Sequence, residues 1–279
     1  MNIQDIRFGC QLYTWQMSGE RFRGRLDHIA RVVRAAGFTG IEPELGMLGA
    51  YADPGRLQEL LAVEGLALGA LTLVADWWLP VETPAEIAAA DAALDVLDRF
   101  PGTLLVLCQM PGADRRDLRE RQDHTLACME AVARRAADRG MVCAFHPNSP
   151  VGSVFRDAAD YQRLIPELRR RGIGFVPDTG HLLKGGVDAQ SLIAEAADLL
   201  RHVHFKDLDR AGRWVGMGEG ITDFAGIVRQ LAAADYRGWI MVEEESPAAE
   251  FDPDAATRRN GDYLRTMFSQ PSATPRSHA

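Results

Sequence analysis

The chain has 279 residues, 47% of them hydrophobic, which is enough for one large core of the size that α/β barrels form as a single domain. Its 31 basic and 39 acidic residues give a net charge of −8, which argues against a protein that binds DNA or RNA phosphates. No apolar run approaches the roughly 18 residues of a membrane span. No N-terminal signal is visible and the four cysteines lack paired spacing, so we expect a cytoplasmic protein without membrane contact.

Strand-like and helix-like runs alternate along the whole chain. We predict strands over residues 7–15, 39–42, 66–74, 103–109, 141–145, 173–178, 201–206 and 239–243. We predict helices over residues 22–36, 56–64, 84–100, 116–139, 157–171, 188–200, 223–234 and 254–267. About eight strand–helix units at a spacing of roughly 27–38 residues are typical of a single (β/α)8 TIM barrel. We place the barrel domain at residues 1–268 and a flexible tail at 269–279.

The alternative fold is a doubly wound open sheet. That fold favours a glycine-rich phosphate loop after the first strand, and the sequence QLYTW at 11–15 is not one. The barrel therefore remains our prediction.

Polar side chains concentrate after the predicted strands, at the end of the barrel that carries active sites in this fold. They are Trp15, Glu42, Glu44, Asp76, Gln109, His146, Asn148, Asp178, His181, His204, Lys206, Glu243 and Glu245. Only two of the 31 basic residues are lysines, Lys184 and Lys206, and both fall in this part of the chain. Lysine acts as a compact point charge whose pKa shifts on burial, so Lys206 is a candidate for chemistry rather than solubility.

Side-chain alternation indicates which of these groups meet. His202, His204 and Lys206 share one face of the seventh predicted strand, and Glu243 and Glu245 share one face of the eighth. If these faces point into the barrel, four side chains converge at one end: His146, Asp178, His204 and Glu243. Two imidazoles and two carboxylates without a thiolate suit Mn²⁺, Co²⁺ or Zn²⁺. The competing interpretation is that Asp178 caps the following turn and the histidines are satisfied core residues.

Six motifs in this order resemble those of the xylose-isomerase-like sugar isomerase/epimerase superfamily, which includes inosose dehydratase, inosose isomerase, ketose 3-epimerases and hydroxypyruvate isomerase. They are GIE at 40–42, FHPN at 145–148, DTGH at 178–181, HVHFKD at 202–207, GEG at 218–220 and GWIMVE at 238–243. The closest likeness is to the inosose-dehydratase-like branch.

The resemblance implies one divalent metal held by Glu, Asp, His and Glu from strands five to eight. Asp178, His204 and Glu243 match the last three positions, and His146 stands nearest to the first, where no glutamate is obvious. We expect Mn²⁺, with Co²⁺, Zn²⁺ or Mg²⁺ as alternatives. Epimerases of this family use the strand-five and strand-eight glutamates as paired acid/bases, so the missing glutamate argues against simple two-glutamate epimerisation.

The implied chemistry is removal of the α-proton of a keto-sugar or keto-inositol, with the metal as a Lewis acid that lowers the cost of the enediolate. Isomerisation, epimerisation or dehydration follows. The candidate catalytic residues are Glu243, Glu245, His181 and Lys206. The candidate substrate-binding residues are Trp15, Glu42, Glu44, Trp77, Gln109, Asn148 and Arg210. The glycine-rich connection over 208–220 is a candidate lid.

Three further hypotheses stay open. They are a metal-dependent β-eliminating lyase on 3-keto-glycosides, a phosphodiester-cleaving barrel resembling endonuclease IV, and a non-catalytic sugar-binding barrel. The negative charge and the small number of histidines disfavour the second of these. We expect a small-molecule partner and no nucleic acid, and the resemblance also implies a homodimer.

Overall fold

The computed structural model describes residues 6–269, and every structural statement below refers to that part of the chain. The strands are β1 Arg7–Gln11, β2 Gly40–Glu42, β3 Ala67–Leu68, β4 Ala70–Ala75, β5 Leu104–Gln109, β6 Cys143–Phe145, β7 Gly174–Phe175, β8 His202–Phe205, β9 Asp207–Leu208, β10 Trp214–Val215 and β11 Trp239–Val242. The helices are α1 Tyr13–Gln16, α2 Leu26–Ala35, α3 Pro54–Glu64, α4 Pro84–Leu97, α5 Leu118–Asp138, α6 Ala158–Arg171, α7 Thr179–Lys184, α8 Ala189–Glu195, α9 Phe224–Ala233, α10 Pro247–Phe251 and α11 Pro253–Ser269.

The parallel β-strands pair with one another around a closed ring. One arc has the order β3-β2-β1-β11-β8 and the other the order β4-β5-β6-β7. Single parallel bridges join the arcs, from Glu44 after β2 to Thr72 in β4, and from Asp178 after β7 to His204 in β8. With β3 and β4 counted as one strand interrupted at Gly69, the ring has eight strands, which we call the staves of the barrel. The predicted (β/α)8 TIM barrel is therefore confirmed.

Large side chains from β11 fill the lower half of this barrel. A Cβ atom on Gly9 would lie 2.3 Å from the Met241 sulfur, and one on Gly40 would lie 2.5 Å from the Trp239 ring. A Cβ on Gly69 would lie 2.1 Å from the Met241 methyl carbon. Glycine at these three positions makes room for Trp239 and Met241 inside the barrel. These side chains close the barrel interior, which forms a packed floor beneath the polar residues at the carboxyl ends of the strands.

The first strand is shorter than predicted, whereas α4 and α9 begin within one residue of their predicted starts, at 84 and 223. Thr83 caps α4 in a reciprocal capping box, and Asp223 caps α9. The predicted strand over 7–15 is wrong beyond Gln11, because the Gln11 side chain accepts a hydrogen bond from the Tyr13 backbone N–H and the chain turns into α1. The short helices α7 and α10 were also not predicted.

The carboxyl-terminal end of the chain falls mainly outside the described residues. Ser269 is the last residue of α11 rather than the start of a tail, and the rest of the predicted tail, 270–279, lies outside the described range. Among the described helices, none has both the length and the apolar character that crossing a membrane requires.

Candidate metal centre

The carboxyl ends of four consecutive barrel staves bring four buried side chains together above the barrel floor. They are His146 after β6, Asp178 after β7, His204 in β8 and Glu243 after β11. Each supplies one ligand atom, and these atoms all lie within 4.8 Å of one another. The structure thus assembles the four residues that sequence analysis named as ligands.

Three of the four ligand atoms are buried without a hydrogen-bond partner: His146 Nε2, Asp178 Oδ2 and His204 Nδ1. His146 Nε2 lies 3.6 Å from Asp178 Oδ2, and His204 Nδ1 lies 4.0 Å from Asp178 Oδ2 and 3.4 Å from Glu243 Oε2. Buried polar atoms are normally paired, so a cluster of unpaired lone pairs needs a shared partner. Two nitrogens and two carboxylates form a donor set that fits a divalent transition-metal ion.

Glu42 supports this cluster from beneath. Its Oε2 lies 2.9 Å from His204 Nε2 and 2.7 Å from His202 Nε2, while Thr72 donates a 2.6 Å hydrogen bond to Oε1. Burial raises the pKa of Glu42, but the two imidazoles outweigh it and hold that pKa well below its usual range. Because Nε2 of His204 is engaged by Glu42, Nδ1 is the nitrogen that faces Asp178 and Glu243.

The pKa of His204 responds to the same neighbours. Burial lowers it, but Glu42 and Glu243 outweigh burial and raise the pKa to about 10. A cation at this position would therefore compete with a proton on His204, and its binding would release that proton.

Lys206 neutralises the carboxylates around the cluster. Its Nζ lies 2.9 Å from Glu243 Oε1 and 3.4 Å from Asp178 Oδ2, and it also donates to Glu245. The side chain is completely buried; burial lowers its pKa, but the carboxylates raise the pKa well above the usual value. Burial raises the pKa of Glu243, yet Lys206 and His204 together outweigh burial and lower that pKa to about 2. Lys206 is thus a fixed cation, and it lies beneath the cavity surface rather than in it.

His181 is held as a neutral imidazole beside Lys206. Lys206 Nζ lies 3.1 Å from His181 Nε2, and Ser149 Oγ lies 2.8 Å from Nδ1. Burial and the charge of Lys206 lower the pKa of His181 to about 3. Both ring nitrogens are therefore engaged, Nε2 as the acceptor for the ammonium group.

The predicted lid contains the β9–β10 hairpin. The Trp214 ring packs edge-on against His181, with centroids 5.4 Å apart, and lies 5.3 Å from Lys206 Nζ. Asp207 fixes this loop by accepting backbone N–H groups from Gly218 at 3.0 Å and Gly220 at 2.9 Å, which explains the GEG motif. Sequence analysis missed Trp214, although an aromatic residue in a glycine-rich loop beside the site was a usable signal.

A cavity of about 250 Å³ opens beside the ligand cluster. Its amide-bearing residues are Gln11, Gln16, Gln109 and Asn148, and its carboxyl-bearing residues are Glu44, Glu243 and Glu245. Its other lining residues are Tyr13, Thr72, Val74, Cys108, Met110, Pro111, His146, Pro150, His181 and His204. No lysine or arginine of the described chain is among them.

Three predicted substrate-binding residues line this cavity: Glu44, Gln109 and Asn148. Asn148 Nδ2 donates to the backbone carbonyl oxygen of Gln109 at 2.8 Å, and Gln109 Nε2 donates to the backbone carbonyl oxygen of Asp76 at 3.0 Å, so the backbone holds both amides in place. Sequence analysis missed Gln11, Tyr13 and Gln16. Gln11 and Tyr13 alternate with Leu12 at the end of the first predicted strand, and this alternation was the available signal for these two residues.

Four other predicted substrate-binding residues lie elsewhere. Trp15 is fully buried and donates from Nε1 to Asp254 at 2.8 Å, because α1 turns it away from the cavity into the outer core. Trp77 is 1% exposed and belongs to the core. Glu42 is 0% exposed beneath the cluster, and Arg210 is exposed on the hairpin away from the lining.

These features define a class of protein. The chain belongs to the xylose isomerase-like TIM-barrel family, whose sequence model matches residues 30–267.

The individual relatives have low sequence identity to this chain. The chain is 28% identical over 148 residues to an inosose dehydratase of Geobacillus thermodenitrificans, which covers 47% of this chain and 49% of that one. The chain thus spans about half the length of that relative. It is 24% identical over 292 residues to an inosose dehydratase of Bacillus velezensis, with 91% and 93% covered. The solved structure of a 3-keto-D-glucoside 4-epimerase from E. coli shares the fold, with a TM-score of 0.73, 20% identity, and 94% and 99% of the two chains covered.

Proposed function

We propose that this protein is a divalent-metal-dependent enzyme of the sugar isomerase, epimerase or dehydratase type that removes the α-proton of a keto-inositol or keto-sugar. The observation that carries the proposal is the cluster of His146, Asp178, His204 and Glu243, with three unpaired buried ligand atoms at the edge of a polar cavity. Relatives named inosose dehydratase favour a keto-inositol as the first substrate to test.

The metal proposal rests on the donor set. His146, Asp178, His204 and Glu243 would hold the ion, and two nitrogens with two carboxylates favour Mn²⁺, with Co²⁺, Zn²⁺ or Mg²⁺ as alternatives. A divalent cation held there supplies Lewis acidity for a ketone oxygen.

Glu245 is the base that we propose for the α-proton. Both carboxyl groups line the cavity and contact Lys206. Glu243 faces Lys206 through Oε1 and His204 through Oε2, whereas Glu245 contacts Lys206 through Oε1 and does not belong to the ligand cluster. Burial raises the pKa of Glu245 although Lys206 opposes the shift, so this carboxyl group is suited to take up and hold a proton. Lys206 and His181 position Glu245 through the contacts described above, rather than taking the proton themselves.

Electrostatics favour an uncharged substrate. The described lining includes no arginine or lysine, so it offers no basic side chain to pair with the phosphate or carboxylate of a charged sugar. Four amide side chains offer donors and acceptors for neutral hydroxyl groups. The same lining disfavours a phosphodiester substrate.

A second candidate is β-elimination from a 3-keto-glycoside. Removal of the α-proton is common to both reactions, and only the leaving group differs. The apolar side chains of Met110, Pro111 and Pro150 at the cavity give a surface for an aglycone.

The cellular compartment and the oligomeric state are also part of the proposal. Four unpaired cysteines, at 10, 108, 128 and 143, favour a reducing compartment such as the cytoplasm. The homodimer implied by the family resemblance stays a prediction.

Elemental analysis followed by a solvent-deuterium exchange screen tests the proposal. We expect about one divalent ion per chain and metal-dependent exchange of an α-proton in inososes, ketoses or 3-keto-glucosides. Chelator-treated and reloaded protein provides the control. A fully metal-loaded protein that exchanges no α-proton in any of these ketones would contradict the proposed enzyme.

A further inference from the structure

One carboxyl group in the cavity has no role in the steps above. Glu44 follows β2, where it bridges to Thr72 of β4, and its side chain lines the cavity. In the ring of eight staves β2 stands opposite β7, so Glu44 faces the metal cluster from across the barrel. Its one side-chain hydrogen bond in the described chain is from Gln16 Nε2 to Oε2, at 2.8 Å.

Among the described residues, no cation lowers the pKa of Glu44. Two groups shift the pKa of Glu44, and two others have their own pKa raised by Glu44. All four are acids: Glu42 and Glu243, and Tyr13 and Cys108. Burial, together with Glu243 and Glu42, raises the pKa of Glu44 to about 7 even though the Gln16 hydrogen bond opposes the shift. Glu44 therefore carries a transferable proton near neutral pH, unlike Glu243.

Among the other described lining residues, Glu245 is the proposed base, and burial raises the pKa of the Tyr13 hydroxyl above its ordinary value, so neither is an equivalent proton donor. Stave β6 has Ala144 pointing into the core and His146 at its end, with no carboxyl group in either position. Lys206 and His181 are bound to each other, and the thiol of Cys108 has its pKa raised to about 12 by burial. Elimination of a hydroxyl group needs such a donor, because hydroxide leaves poorly without protonation.

We infer that Glu44 is the general acid that protonates a departing β-hydroxyl group, so that this site dehydrates its ketone substrate. The inference rests on the proposed α-proton removal. The base takes the α-hydrogen as a proton, and the electron pair left on carbon forms the new C=C bond. The β-carbon–oxygen bond breaks, its electron pair stays on oxygen, and this oxygen takes the proton of Glu44 and leaves as water. The Glu44 carboxylate then regains a proton from solvent, and the base releases the α-proton to solvent.

The decisive experiment measures exchange and elimination separately in the metal-loaded Glu44→Gln variant. The substrate is the ketone with the fastest α-exchange in wild-type protein. Deuterium in recovered substrate reports α-proton removal, and the unsaturated product reports water loss. We expect exchange within about threefold of wild type and elimination lowered about 10²- to 10⁴-fold, at unchanged metal content.

Two further measurements separate acid catalysis from substrate binding. Wild-type elimination is expected to fall as the pH rises through about 7, because Glu44 loses its proton, and this fall is expected to be absent from the residual activity of Glu44→Gln. Glu44→Asp keeps an acid and is expected to restore part of the elimination. Glu59→Gln removes an exposed carboxylate of α3 and serves as the matched surface control.

The possible failures are distinguishable. Equal loss of exchange and elimination with a raised KM would make Glu44 a binding residue and overturn the inference. Unaltered elimination in Glu44→Gln, or wild-type exchange without any water loss, would also overturn it while leaving the proposed function intact. Absence of exchange from wild type with every ketone would instead refute the proposed function.

Discussion

The charged wall of the cavity, formed by the ends of β6, β7, β8 and β11, differs sharply from the opposite wall, formed by β1, α1 and β2. The charged wall holds three histidines, and three carboxylates that buried Lys206 contacts. The opposite wall offers Gln11, Tyr13 and Gln16, and Glu44 is its one carboxyl group in the cavity. One wall is thus suited to hold a cation, and the other to contact hydroxyl groups and keep one acidic proton.

Asp178→Asn should break the charged wall most severely. Loss of a ligand carboxylate should lower metal affinity by more than the roughly 10- to 100-fold that changes behind the ligands cost. The fold should persist, because Asp178 Oδ1 caps α7 by accepting from the His181 N–H at 2.8 Å and asparagine is an equally good cap. Metal content after dialysis and thermal unfolding measure the two effects.

Asp188→Asn is the matched control for that variant. Asp188 caps α8 in the same manner, accepting from the Ser191 N–H at 2.7 Å, and lies outside the cavity lining. It should keep a full complement of metal. A full complement in Asp178→Asn as well would remove Asp178 from the set of ligands.

Glu42→Gln tests whether the opposite strand supports the charged wall. Glu42 belongs to β2 but engages His204 Nε2, so its loss should release the imidazole and lower metal affinity roughly 10- to 100-fold. Metal titration in competition with a chromophoric chelator gives the affinity. Asp160→Asn removes a similarly buried carboxylate from α6 and should leave metal affinity unchanged. Equal affinities in wild type and Glu42→Gln would reduce Glu42 to a packing role.

The smallest expected effect concerns the opposite wall and stability. The pKa of Glu44 is about 7 in the folded chain and roughly 4.3 in an unfolded one, so the folded state binds more protons between these values. Ionisation of Glu44 therefore lowers stability as the pH rises from about 4.3 to 7. Relative to wild type, metal-free Glu44→Gln should gain on the order of 1–3 kcal/mol of unfolding free energy between pH 5 and 8.5. Urea unfolding at both pH values checks this, and a pH-independent difference would contradict it.

The charged wall was more accessible to sequence analysis than the opposite one. Strand period and the resemblance placed Asp178, His204 and Glu243 on inward faces, and the barrel then fixes their convergence. The ligand role of this cluster remains a prediction. The single (β/α)8 barrel could be predicted because strand and helix periods alternate throughout the chain.

The opposite wall depends on a local event that periodicity does not record. Gln11 ends β1 by bonding the Tyr13 backbone, so α1 sends Gln16 into the cavity and Trp15 into the outer core. A strand continued to residue 15 puts Trp15 at the mouth of the barrel, which is the error in our prediction. Glu42 was misplaced for a related reason: its type suggests contact with substrate, whereas its depth beneath His204 follows only from three-dimensional packing.

Trp214 lies between the two lysines of the sequence, with its ring 3.8 Å from Lys184 Nζ and 5.3 Å from Lys206 Nζ. Lys184 is partly accessible, whereas Lys206 is sealed from solvent. Acylation requires an accessible, unprotonated amine, so labelling of Lys206 requires that Trp214 move away and that the carboxylates around Nζ release it. The ratio of the two modified peptides thus reports how often the hairpin and the carboxylates together uncover Lys206, without the introduction of any reporter group.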